Sequence, residues 1–239
     1  RLKNTRCNFL SDPKTRVNLK RKVSQVHSEY INANFITGYP EENKAFIATQ
    51  APLPNTRDDF WRMVWEQQSR VIVMLNAMDE PGKSKCDDYW PDSPDNIVKY
   101  GDFTMVLKKK DVTQEYILST LELKDIENNL IREIKHVWYT SWSNKTLPDP
   151  VSLVKFVIEI RRLSEDSGGP LVVHCRPGTG RTGTMLSVDI CTRQYDAEKL
   201  VDVLKCVSKM RKERAGVVQT KEQYALIYQV RRQYVSLPV

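Results

Sequence analysis

The chain has 239 residues, 40% hydrophobic and 28% charged. That is enough apolar material for one large core, and with no shift in composition to divide it a single domain over 1–239 is expected. The formal charge of +7 is concentrated, with eight Lys or Arg in residues 1–24 against the single Asp12, which suits nucleic acid, acidic lipid or a phosphorylated partner without choosing among them.

No run of about 18 apolar residues is present to span a bilayer, and no secretory leader is visible. The opening residue is Arg1 rather than Met, which leaves room for a longer protein with a membrane tether elsewhere. Cys7, Cys86, Cys175, Cys191 and Cys206 are odd in number and lack metal-ligand spacing. Neither a disulfide framework nor a zinc site follows, no cofactor is called for, and a reducing, cytoplasmic setting is expected.

In chain order, residues 1–28 read as a basic surface loop containing Pro13. EYINANFITG and KAFIATQ alternate as two strands around a turn near Pro40. Asn55 and Thr56 precede a helix with Asp58 and Asp59 in its first turn, which continues through Trp65. Val71 to Leu75 is a continuous apolar run, the signature of a strand buried on both faces. Between Ile97 and Trp138 the segments DFTMVLKK, EYILSTLEL and REIKHVWYT alternate as antiparallel strands. Val154, Val157, Ile158 and Arg161 mark a helix before Gly168-Gly169-Pro170. Leu200, Val203, Leu204 and Val207 mark a later one, and Tyr224, Ile227 and Tyr228 the last. The fold class predicted is α/β, a twisted mixed sheet flanked by helices.

The stretch Leu171 to Thr184, LVVHCRPGTGRTGT, carries the chemistry. Its apolar start predicts a second buried strand, ending at His174 beside the first and near the sheet centre. Five residues separate Cys175 from Arg181, and Thr182, Gly183 and Thr184 open a helix. Backbone N–H groups at such a turn converge on an anion at a helix N-terminus, a field that also favours the nucleophilic thiolate. Arg181 adds a bidentate grip on two phosphate oxygens. A C-x5-R spacing alone is common, and an ordinary buried Cys is the bland alternative. The strand before it and the G-x-G-R-T-G within it favour phosphate.

At this point the chain resembles the tyrosine-specific protein phosphatases, whose loop reads H-C-S-A-G-x-G-R-[S/T]-G. His174, Cys175, Gly178, Gly180, Arg181, Thr182 and Gly183 match it. Arg176 and Pro177 replace Ser and Ala, and Thr179 fills the variable position. YINANFI, ATQAPLPNT, FWRMVWEQ, KCDDYWP and QTKEQY extend the resemblance over nearly the whole chain. It implies a phosphatase fold of the C-x5-R type, a phosphotyrosine-containing protein or other phosphorylated ligand bound by residues 176–182, and no metal. It further implies that Lys85 reaches toward the site and that Gln219 and Gln223 position the hydrolytic water.

Departures from the family cluster on catalysis. Where members carry W-P-D, this chain has Trp142-Ser143-Asn144, so Asn144 stands in place of the general acid. An acid of that kind contributes about 10²- to 10⁴-fold. The tyrosine that walls the phosphotyrosine slot is replaced by Cys7, and an Asp that holds the substrate backbone by Phe9. Pro177 has no N–H, and losing a donor to a charged group costs roughly 1.5–3 kcal/mol. Asp149 is a residual candidate acid, although Asp149-Pro150 also reads as a helix cap.

Similar substitutions occur in the membrane-distal second domains of receptor-type members, a resemblance that supports a noncatalytic role, and a partner phosphatase domain is a further expected ligand. A catalytically weak or inactive phosphate-binding module is therefore expected, with a slow or atypical phosphatase as the alternative. A nucleic-acid binder is disfavoured, because no aromatics interleave the basic clusters.

Overall fold

The computed structural model describes residues 3–5, 10–22, 27–76, 89–143, 146–165 and 167–236. Strands β1 (Arg16–Asn18), β2 (Tyr30–Ile36) and β3 (Phe46–Gln50) precede helix α1 (Arg57–Glu66) and strand β4 (Val71–Met74). Four more strands follow, β5 (Val98–Tyr100), β6 (Phe103–Val112), β7 (Tyr116–Asp125) and β8 (Leu130–Tyr139). Helix α2 (Pro150–Ser164), strand β9 (Leu171–Cys175) and helices α3 (Gly180–Glu198), α4 (Val203–Glu213) and α5 (Lys221–Ser236) complete the chain.

The nine strands among the described residues form one mixed sheet in the order β1-β2-β3-β9-β4-β8-β7-β6-β5. The last strand in sequence thus lies inside the sheet, parallel to β3 on one side and β4 on the other. β4 also runs parallel to β8, whereas β5 to β8 form an antiparallel meander.

The two apolar runs are continuous because both sheet faces are covered. Val71, Val73, Leu171, Val173 and Cys175 pack with residues of α2, α3 and α5. Ile72, Met74 and Val172, one step out of phase, pack under Phe60, Trp61 and Met63 of α1. The period of two sends alternate residues to opposite cores, so each face of β9 is dry and its register against β3 and β4 is fixed.

Three local expectations need correction. The opening segment is not wholly loop, since Arg16–Asn18 pairs with β2. Val17 is fully buried, and that one inward side chain is too short a signal to read as a strand. Helix α4 starts at Val203, because the Asp202 carboxylate accepts the Lys205 N–H at 2.8 Å and caps it there. Its buried stripe is Val203, Val207 and Met210, which leaves Leu200 and Leu204 exposed. Thr56 precedes α1, but its hydroxyl accepts from the Leu53 N–H at 2.8 Å rather than from the helix.

Candidate active site

β9 delivers Cys175 to the carboxyl end of the parallel strands, where α3 begins five residues later. That is where ligands bind in open α/β sheets. Cys175 is only 3% exposed. The loop turns at once, with the Gly178 N–H donating to the Cys175 carbonyl at 3.1 Å. Gly178 has φ +69°, and a Cβ there would lie 2.0 Å from the Thr49 carbonyl oxygen, so both conformation and space require glycine. The Ala51 N–H donates to the Cys175 carbonyl at 2.9 Å and ties the loop to the end of β3.

A buried arginine holds the loop from behind. Arg214 is 1% exposed. Its Nε donates to the Gly178 carbonyl at 2.6 Å and its Nη2 to the Pro177 carbonyl at 3.1 Å. Its remaining donors reach Asn34 Oδ1 at 2.7 Å and Asn32 Oδ1 at 3.1 Å, both on β2. With these carbonyls drawn backward, the loop is pinned to the sheet. Burial pulls the Arg214 guanidinium down from 12.5 to about 10, opposed by the charges of Cys175 and Tyr30. The sequence places Arg214 in a basic cluster with Lys205, Lys209, Arg211 and Lys212, and nothing in that pattern separates the one buried member from its solvated neighbours.

Arg181 opens α3. Its Nη1 donates to the Leu75 carbonyl at 2.9 Å and its Nη2 to the Ser143 carbonyl at 3.1 Å, and the guanidinium lies 5.9 Å from the centre of the Trp142 ring. One side chain thereby links the end of β4, the Trp142-Ser143 segment and the Cys175 loop. Thr182 and Thr179 are fully buried, and neither hydroxyl has a hydrogen-bond partner among the described residues. Gln219 and Gln223 also come to the loop. A Cβ on Gly180 would meet Gln219 Oε1 at 2.8 Å and Gln223 Nε2 at 3.0 Å, and the Gln223 Oε1 accepts the Gln219 N–H at 2.9 Å.

Behind Cys175 runs a second network that the sequence does not announce. The Tyr89 hydroxyl lies 2.6 Å from both His136 Nε2 and His174 Nε2. A hydroxyl has one proton, so one imidazole accepts it while the other donates its own N–H to the phenol oxygen. Trp90 stacks on His136 with ring centres 4.4 Å apart, and Trp61 Nε1 donates to the Tyr89 carbonyl at 2.7 Å. Full burial drives the His136 imidazole down from 6.5 to about 3.

Cys175, Arg176, Pro177, Gly178, Thr179, Gly180, Arg181 and Thr182 therefore share one turn, with Gln219 and Gln223 beside it. Cys7, Lys85 and Asn144 lie outside the described residues. Asp149 is the N-cap of α2, its carboxylate accepting the Ser152 N–H at 2.9 Å. Among the described residues no group of three His, Cys, Asp or Glu is arranged to hold a metal. Nor is any described helix long and apolar enough to cross a membrane.

The family model for the protein-tyrosine phosphatases matches residues 1–232. The chain belongs to the protein-tyrosine phosphatase family. It is 40% identical over 230 residues to human receptor-type tyrosine-protein phosphatase R, covering 95% of this chain and 34% of that protein. It is 38% identical over 227 residues to the tyrosine-protein phosphatase Lar-like of Caenorhabditis elegans, covering 95% of this chain and 10% of the other. Against human tyrosine-protein phosphatase non-receptor type 7 it is 38% identical over 223 residues, 92% of this chain and 60% of that protein. The chain thus spans between about a tenth and six tenths of these relatives' lengths. The mixed sheet with β9 inside it is the form the family's fold takes here.

Proposed function

We propose that this domain binds a phosphorylated protein in the Cys175–Thr182 loop and turns it over weakly or not at all. Cys175 is the nucleophile position in this reading, Arg181 the phosphate clamp, and Thr182 with the loop N–H groups the rest of the cradle. Hydrolysis of an aryl phosphate also needs a proton for the leaving phenolate.

The observation that carries the proposal concerns that proton. Asp149 is the only carboxylate between Thr140 and Pro150, and it is engaged at 2.9 Å as the cap of α2. Asn144, at the acid's place in the sequence, has no proton to give near neutral pH. Residues 1–239 act as one unit in this reading. A reducing interior is its natural setting in this reading, because a nucleophilic cysteine is readily oxidised elsewhere. A second phosphatase domain is a candidate partner alongside phosphotyrosine proteins.

The alternative, a slow phosphatase, draws support from Cys175, Arg181 and Thr182 being retained together on one turn. Turnover of a phosphotyrosine peptide separates the two. Wild type should be no faster than Cys175→Ser, whereas Ser143→Pro with Asn144→Asp should gain up to roughly 10²- to 10⁴-fold. A wild-type rate abolished by Cys175→Ser and indifferent to the double change would refute the proposal in favour of the slow enzyme.

A further inference from the structure

Of the seven non-glycine residues with positive φ among those described, six are exposed and none of those six is branched at Cβ. The seventh is Val218, at φ +55° and 1% exposed. Left-handed backbone crowds a β-branched side chain more than any other kind. Such a residue persists only where its surroundings hold it.

Arg211 supplies the hold. From the last turn of α4 its Nε donates to the Val217 carbonyl at 3.1 Å and its Nη2 to the Val218 carbonyl at 2.8 Å. The two peptide groups that flank the strained residue are thus gripped by one side chain. On the other side the Val218 N–H donates to the Thr179 carbonyl at 3.4 Å. Val217 and Val218 pack on the first turn of α3, where a Cβ on Gly183 would come within 2.7 Å of the Val217 Cβ. The next residue is Gln219. Its side-chain oxygen and the amide of Gln223 lie against Gly180, and the Gln219 N–H donates to Gln223 Oε1 at 2.9 Å. Rotation of the Val218 backbone would swing that N–H and the Gln219 side chain away together.

We propose that Arg211 is a positioning residue, which clamps Val218 in a conformation that valine resists and so fixes Gln219 and Gln223 against Gly180 of the phosphate loop. A strained backbone relaxes once its clamp is removed, whereas glycine or asparagine at 218 would occupy the left-handed region unaided. The effect of Arg211 on the site therefore passes through Val218 rather than through its charge. This rests on the reading of the Cys175–Thr182 loop as a phosphate site with Gln219 beside the attacking water, and the two probes below tell the two apart.

Vanadate and inorganic phosphate, titrated by calorimetry into the whole chain, are the probes. Vanadate takes a fifth ligand and places an oxygen where the attacking water would stand, whereas phosphate stays tetrahedral and reads the cradle alone. Arg211→Met should weaken vanadate about ten-fold, as loss of one hydrogen bond to a charged group implies, and keep phosphate affinity within about two-fold. Arg211→Gln should do the same and guards against a Met variant that fails to fold, with thermal melting as the check on each. Made on Val218→Gly or Val218→Asn, the change Arg211→Met should cost about two-fold or less in vanadate affinity, since the two sites act as one. An equal cost on all three backgrounds, no cost on valine, or a fall in phosphate affinity as large as that in vanadate overturns the inference and leaves the phosphate site standing. Binding of neither anion to the wild-type chain overturns both.

Discussion

Replacing Arg214 with Met tests whether the Cys175–Thr182 loop is held from inside the protein. Met fills much of the volume but leaves four acceptors without donors, the carbonyls of Pro177 and Gly178 and the side-chain oxygens of Asn32 and Asn34. Each orphaned buried acceptor costs about 1–3 kcal/mol. Against that, the variant no longer buries a charge, and the drop of the guanidinium from 12.5 to about 10 corresponds to roughly 3 kcal/mol of burial cost. The balance is a net loss of roughly 1–9 kcal/mol, a span that brackets the roughly 3–5 kcal/mol seen when a buried charged contact is broken on one side. That is a large part of the 5–15 kcal/mol typical of a domain. Arg214→Lys keeps a charge but presents a single ammonium, so about half of the loss should remain. Guanidinium-chloride unfolding measures both, and vanadate binding to the still-folded variants reports the loop. If Arg214→Met costs under about 1 kcal/mol and leaves vanadate affinity unchanged, the hydrogen bonds from Arg214 are not what hold the loop.

Two further expectations follow from the same structure. His136 is neutral in the fold down to about pH 3, whereas the unfolded chain protonates its imidazole near 6.5. Its contribution is therefore complete above pH 6.5 and is lost as pH falls toward 3, amounting to about 2 kcal/mol between pH 6.5 and 5. Urea midpoints across that range should show this slope, and His136→Gln should flatten it; an unchanged slope refutes the assignment. Asp149→Ala should cost about 1 kcal/mol through loss of the α2 cap, with any residual turnover unchanged within about two-fold. A drop of ten-fold or more in that turnover would restore Asp149 as the acid.

Much of the scaffold could be read from pattern alone. The apolar runs at 71–75 and 171–174 predict paired buried strands, and they pair in parallel with Val172 opposite Ile72. Continuous apolarity reports two dry faces, which only an interior strand has. Cys175, Arg181, Gly178 and Gly180 were legible because the loop is local, so all its parts lie within one turn of chain. Asn144 and Pro177 were legible as departures, since what each lacks, an acidic proton or an N–H, is a property of the residue itself.

Tertiary structure decided which distant side chains meet. Tyr89 reaches His136 and His174 across 47 and 85 residues, and Arg214 reaches Asn34 across 180. No periodicity encodes such a meeting, because it is set by strand order and register. Even Leu204, at a spacing that suggested the core, faces outward once Asp202 has set where α4 begins. Sequence alone determined which residue types stand at the turn and that Asn144 follows Trp142-Ser143. What holds that turn still, and the engagement of Asp149 as a helix cap, were decided by contacts that exist only when the sheet is assembled.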